Sequence, residues 1–228
     1  MINILFPHKR YSFVNESFLQ NFPDEVMAKF EESKTVLNLK KGQVLFHEAS
    51  IPTGVYILKT GKVKKYATGL NGKEHIFHLV KENGILGHHN LLCEEMYSHS
   101  AGCLTDCSFF LIPKNIFLSI IKDNRHMMDC LLKNISHEFG VFVNNSKIMA
   151  QYNVRERTAL SIIKLEEFFD DNNSFKLSRR DHSNIVGTSI ESLVRVLHDL
   201  KEEEAIEIKE STITVKNMKK LIAIINVI

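Results

Sequence analysis

The 228-residue sequence lacks the stretches that would carry a chain into or across a membrane. Nowhere do ~18 apolar residues run together, the length a spanning helix needs. The opening MINILFPHKR has no long apolar segment of the signal-peptide kind. Cysteine is sparse, and Cys93, Cys103, Cys107 and Cys130 form neither a Cys-x-x-Cys zinc pattern nor a disulfide framework. Buried thiols in a reducing cytoplasm are the expectation. Catalytic signatures are missing as well. There is no Gly-x-Ser-x-Gly elbow, no P-loop and no Gly-x-Gly-x-x-Gly fingerprint, so the chain does not read as an enzyme. It also lacks an excess of either charge. The formal net charge is +2, and from Gln151 onward 12 Lys/Arg stand against 13 Asp/Glu. Any nucleic-acid footprint must then be a local patch.

What is present changes along the chain. Residues 1–33 read as short helical pieces, with Phe13, Phe18, Leu19, Val26, Met27 and Phe30 as packing positions. From Lys34 to about Pro113 short alternating runs follow one another: LNLKKGQVLF, GVYILKTGKVKKYA, KEHIFHLV and SAGCLTDCSFFLIP. Asn71-Gly72 between two of them is a strong hairpin signal. Many short strands at this spacing predict an all-β sandwich or jelly roll. Asn115 to Ala150 then has no Pro and one Gly, and reads as helix. Within it Met128, Leu132, Ile135, Phe139, Phe142, Ser146 and Met149 recur at steps of four and three, a seam suited to a two-stranded coiled coil. The competing reading lays one amphipathic helix on its own β-domain; the narrow seam with polar flanks favours the dimer.

Asn153-Val-Arg-Glu156 marks a helix start, and the helix should stop in the polar cluster Asp170–Ser174. A second capping sequence, Ser178-Arg-Arg-Asp181, opens a short helix to about Val186. Gly187 provides the turn and Ser189 caps a third helix, IESLVRVLHDLK. EEEAIEIKESTITVKN then reads as a two-stranded wing before a terminal apolar segment. Helix, glycine turn and capped helix is the helix-turn-helix spacing, whose second helix fits the major groove of DNA. Glu191 and Arg195 share one face near the start of that helix, where Arg can read guanine and Glu can accept from cytosine. Ile190 and Ser192 adjoin them. Arg179, Arg180 and Ser189 suit phosphate contacts, which position without reading sequence. A plain i,i+4 ion pair between Glu191 and Arg195 is the alternative.

These residues resemble the Crp–Fnr regulator superfamily (cyclic-AMP receptors and fumarate-nitrate-reduction regulators) from about residue 13 to the C-terminus. Arg179, Gly187, Ser189, Glu191 and Arg195 stand where that family places DNA-contacting or turn residues. Ile190 replaces the Arg usual in the cyclic-AMP type. The resemblance also covers Asn71-Gly-Lys-Glu74 and Gly84-Ile-Leu-Gly87. It implies an α+β chain in three parts: a double-stranded β-helix (jelly-roll, cyclic-nucleotide-binding-like) sensor over residues 1–114, a dimerisation helix over 115–150, and a winged helix-turn-helix over 151–228. The implied protein is a cytoplasmic homodimer on a two-fold symmetric operator in double-stranded DNA. RNA polymerase is a partner in the case of an activator, and no membrane is involved.

The ligand site departs from the family pattern. Where cyclic-nucleotide binders have Gly-Glu and Arg-Ser, this sequence has Gly87-His88 and His99-Ser100. A neutral His cannot offer a phosphate the fixed bidentate charge of Arg. Hydroxyl residues that reach the adenine align with Phe142 and Val143, so cyclic AMP is not expected to bind. His75 and His78 point to opposite strand faces, and the adjacent His88 and His89 look poorly placed to share a metal. His88 and His99, with Cys93 or Cys103, leave a heme- or metal-dependent sensor as an alternative. Polar histidines in a vestigial pocket are favoured, so no metal and no cofactor is expected. The family's cysteine-rich N-terminal iron–sulfur centre is absent, since residues 1–92 contain no Cys. A ligand-binding module without any DNA role is the remaining alternative.

Overall fold

The computed structural model describes residues 23–225. The expected packing positions Phe13, Phe18 and Leu19 lie outside the described residues. Contacts divide the chain into two units: residues up to Thr68 with Phe77–Phe142, and Gly69–Ile76 with Val143 onward.

In the first unit, helix α1 (Asp24–Ser33) buries Val26 and Phe30. Eight strands follow: β1 (Thr35–Leu39), β2 (Val44–Phe46), β3 (Gly54–Thr60), β4 (Val63–Thr68), β5 (Glu74–Val80), β6 (Ile85–Leu86), β7 (Ser100–Cys103) and β8 (Cys107–Pro113). They form two four-stranded sheets, in the orders β1-β8-β3-β6 and β2-β7-β4-β5. The glycine-punctuated runs are therefore the strands of the expected jelly roll. Asn71-Gly72 does close the β4–β5 hairpin, where Gly72 takes φ +73°, open to Gly without a side-chain penalty. Strand β3 is buried on both faces. Val55 and Ile57 pack with Phe117, Met127 and Leu131 from the helices. Tyr56 and Leu58 pack with Phe46, Tyr97 and Phe109. That is the two-residue period of a strand used twice.

The region expected as one helix from Asn115 is two. Helix α3 (Lys114–Asp123) ends at Asn124, whose backbone is extended (φ −127°, ψ 99°). The Asn124 Oδ1 accepts the Met127 N–H at 2.9 Å and so caps helix α4 (Arg125–Gln151). A side-chain acceptor at that position outcompetes continuation of the helix. Helix α4 carries two stripes. Met127, Leu131, Asn134 and Val141 are buried, whereas Leu132 and Phe139 are 62% and 68% exposed, with Met128 and Phe142 also exposed. Ile135 and Met149 are half-buried.

In the second unit, α5 (Val154–Phe169) begins with the expected reciprocal cap. Glu156 N–H donates to Asn153 Oδ1 at 3.0 Å, and Asn153 N–H donates to Glu156 Oε2 at 2.7 Å. The polar cluster stops α5 through left-handed backbone at Asp170, Asn172 and Asn173, residue types that tolerate it. A short strand β9 (Ser174–Lys176) follows, and the wing strands β10 (Ile206–Lys209) and β11 (Thr212–Val215) join it in the order β10-β11-β9. The terminal apolar segment is helix α8 (Met218–Ile225).

Candidate functional site

Two helices follow β9. In α6 (Arg179–Val186), Ser178 Oγ accepts the Asp181 N–H at 2.9 Å and donates to its carboxylate at 2.6 Å. Gly187 closes α6 in the left-handed conformation (φ +70°), its N–H bonded to Ser183 O at 2.9 Å. A Cβ there would also come within 2.3 Å of Met149 Cε, so both backbone and space call for glycine. Helix α7 (Ile190–Glu202) starts at Ser189, whose Oγ accepts the Ser192 N–H at 3.1 Å. Leu193, Leu197 and Leu200 bury one face of α7. Ile190, Glu191, Val194 and Arg195 are exposed.

The exposed set is chemically mixed. Among the described residues no ion pair joins Glu191 to Arg195. Glu191 instead turns to its own backbone N–H and the Ser189 hydroxyl, which hold its carboxyl below the usual range. Ser192 is half-buried and Arg180 exposed. Arg179 is half-buried, with one guanidinium nitrogen enclosed and lacking an acceptor, and burial lowers its pKa. The DNA residues expected from sequence thus lie on or beside the N-terminal half of one helix pair. Val194, one turn beyond Ile190, is exposed beside them.

Beneath this face His182 is fully buried, 2.8 Å from Ser161 Oγ and edge-on to Phe175. Burial, then the Arg179 charge, pushes its ring down to about 3. Below the ordinary histidine pKa the unfolded chain takes up a proton that the folded chain refuses. His182 therefore leaves stability intact above about pH 6.5 and erodes it roughly tenfold in the folding constant per pH unit below. Thermal melts of the full chain should show the second unit losing stability between about pH 6.5 and pH 5. His182→Gln should flatten that part of the slope. An unchanged slope in the variant would assign it elsewhere.

The expected effector residues lie in the first unit, except Val143, with which the second unit resumes. Gly87 (φ +84°) precedes the short helix α2 (His88–Leu92), and a Cβ there would crowd the Tyr97 hydroxyl at 3.1 Å. His88 is fully buried and His99 nearly so; His99 packs edge-on to Phe46 and Phe77. Ser100 Oγ accepts the Glu48 N–H at 2.9 Å. Phe142 and Val143 are 58% and 52% exposed on this chain, while α4 turns a different stripe inward. The cysteines do not join the histidines either. The Cys103 thiol hydrogen-bonds with Cys107, and Cys93 is exposed.

The groups that do gather near His88 were not foreseen. His89 Nε2 is 2.5 Å from Glu138 Oε2, and Lys65 Nζ is 3.7 Å from Glu138 Oε1. The His88 and His89 rings lie 4.0 Å apart. Burial pushes the Glu138 carboxyl up, but Lys65 and the His89 hydrogen bond outweigh it and hold the group well below its usual range. Burial and, for the latter two, next the Lys65 charge keep His88, His78 and His99 neutral, the last two down to about 3. A signal existed. Lys65 shares a face of β4 with buried Val63, and Glu138 continues the stripe Met127–Leu131–Asn134.

The family described as cyclic nucleotide-binding domain matches residues 36–124, and the Crp-like helix-turn-helix domain matches 156–224. The cyclic AMP receptor protein of Thermus thermophilus is 25% identical over 179 residues, 77% of this chain and 81% of that protein. The fumarate and nitrate reduction regulatory protein of Vibrio cholerae is 24% identical over 222 residues, 94% of this chain and 85% of that protein. The structure of CLP, a c-di-GMP-responsive global regulator of Xanthomonas campestris, superposes with a TM-score of 0.77 at 15% identity. It covers 85% of this chain and 99% of that one, a likeness of fold. With both domain families matched in this order along one chain, and the strands and capped helices they require in place, the protein belongs to the Crp–Fnr family.

Proposed function

We propose that the protein is a homodimeric, sequence-specific DNA-binding transcription regulator that reads a two-fold symmetric operator through α7. The observation that carries this reading is the capped α6–Gly187–α7 unit, which buries Leu193, Leu197 and Leu200 and leaves Ile190, Glu191, Val194 and Arg195 facing outward. Arg195 suits guanine and Glu191 suits cytosine. Ile190 and Val194, one turn apart, suit thymine methyl groups, so an apolar residue at 190 shifts the preferred base pair rather than removing recognition. Ser189, Ser192, Arg180 and Arg179 suit the phosphates, and a phosphate oxygen would give the enclosed Arg179 nitrogen its acceptor. The exposed stripe Met128–Leu132–Phe139–Phe142 suits a second copy of α4, which would set two recognition helices on two half-sites. Its similarity to a cyclic AMP receptor protein and to a fumarate and nitrate reduction regulatory protein supports the regulatory role. A signal other than cyclic AMP is the reading favoured by neutral, buried His88 and His99, which stand where the family resemblance would put the ribose and phosphate ligands.

The test is a titration of purified protein against a selected operator and a scrambled duplex at several salt concentrations. Arg195→Ala should lose ~1–3 kcal/mol on the operator and relax preference at one base pair per half-site. Arg179→Ala should weaken both duplexes alike and make the salt slope shallower by about one per contact. Curves with and without cyclic AMP should coincide. Equal losses on both duplexes for Arg195→Ala would remove α7 as the reading helix, and salt-independent binding would remove the DNA role.

A further inference from the structure

We propose that His88, His89 and Glu138 form a site for a divalent first-row transition ion of the zinc or iron(II) class in the first unit. It deepens the reading of that unit as a sensor and is scored without DNA. The three side chains offer two imidazole nitrogens and a carboxylate oxygen, all within 4.8 Å of one another. Donors held tetrahedrally by metal bonds of about 2.0–2.2 Å lie about 3.4 Å apart, so the wider pairs must close by on the order of 1 Å. The 2.5 Å His89–Glu138 contact would open by a similar amount as an ion enters between the two.

The adjacent histidines, which sequence reasoning set aside as badly placed, converge because α2 begins at residue 88. Left-handed Gly87 turns the chain there, and the two rings come to lie 4.0 Å apart rather than on opposite faces. The third donor arrives from α4, a separate rigid element. His88 is fully buried, while the His89 side chain is 31% exposed and gives the ion a way in. Two imidazoles and one carboxylate leave coordination positions open to water or a small exogenous ligand. Lys65 opposes the ion. Its ammonium is 3.7 Å from Glu138, so binding must draw the carboxylate away from it. Without a metal the same residues form an ion-pair network of Lys65, Glu138 and His89, which the experiment must distinguish from a metal site.

The full chain is stripped with a chelator and titrated with Co2+ as the probe, read by visible absorption and by metal-to-protein ratio. One Co2+ per chain is expected, with absorption typical of low-coordinate nitrogen and oxygen ligation. His89→Gln and Glu138→Gln should each weaken uptake at least about tenfold. His198→Gln, exposed on α7, should leave it unchanged. His89 is partly exposed, so its variant keeps the test valid if loss of Glu138 disturbs folding. No stoichiometric uptake, or uptake equal in wild type and His89→Gln, would overturn the site and leave only the ion-pair network. Operator binding with no Co2+ uptake would refute the metal site and leave the regulator reading standing.

Discussion

Replacing Leu132 and Phe139 together by Asp is expected to turn the protein into a monomer and to abolish tight operator binding. Both side chains are more than half exposed on the single chain, at 62% and 68%. Large apolar groups in a contiguous stripe mark a surface meant to be covered. Met128 and Phe142 extend the stripe, and Asn134 and Glu138 face the other way. Burial of each Leu or Phe in a dimer should be worth roughly 1–2 kcal/mol when incomplete. Four such groups per dimer then contribute on the order of 4–8 kcal/mol, at least about three decades in the dissociation constant. Four carboxylates in the seam add repulsion. Sedimentation should show monomer at concentrations where wild type is dimeric. DNA titration should show single half-site affinity, because coupling of two half-sites requires two tethered helices. The C-terminal unit should keep its fold and melt as before. A variant that remained dimeric would mean that the stripe is not the dimer seam.

The parts of the fold legible from sequence were those set by local chemistry. Asn71-Gly72 gave its hairpin, Asn153 and Glu156 their cap, and Ser178, Gly187 and Ser189 the turn and caps of the helix pair. Each depends on residues within a few positions of one another, which is how capping and turn preferences work. The apolar stripe of α4 was legible for the same reason, since it repeats along one helix, and it lies exposed on this chain. The break at Asn124 was also local, but within the polar run Lys122-Asp-Asn-Arg-His126 an Asn reads as exposed helix surface until its side chain is seen capping Met127. Strand β9 was hidden because three residues have no period, and only pairing with β11 makes them a strand.

The site divides in the same way. Helix spacing alone places Ile190, Glu191 and Arg195 together on α7, where all three are exposed. The cluster beneath α2 has no such spacing behind it. Lys64-Lys65 reads as a solvated pair, and only the strand period, with Val63 inside, points the second lysine inward. Glu138 sits between His137 and the seam residue Phe139, on a helix already assigned an apolar seam. Pairing across two elements far apart in sequence has no local signature.

Lys65→Met is expected to be the most damaging single change in the first unit. The lysine side chain is 3% exposed and the Glu138 side chain 12%, so water screens neither charge fully. Methionine matches the length and volume of lysine, and steric loss is small. What changes is that Glu138 stays ionised in a buried position with His89 as its nearest partner. Removing one member of a buried pair costs about 3–5 kcal/mol, because the remaining charge has no counter-ion and little water. Glu138→Gln in the Lys65→Met background removes that charge and should restore most of the loss, since replacing a buried ion pair by neutral groups of similar size is often close to neutral. Melts and denaturant titrations of wild type, both single variants and the double variant form a cycle, and the coupling should exceed about 2 kcal/mol. If Lys65→Met cost less than about 1 kcal/mol, or if Glu138→Gln failed to rescue it, the two charges would not be coupled. The 3.7 Å approach would then be proximity without energetic consequence.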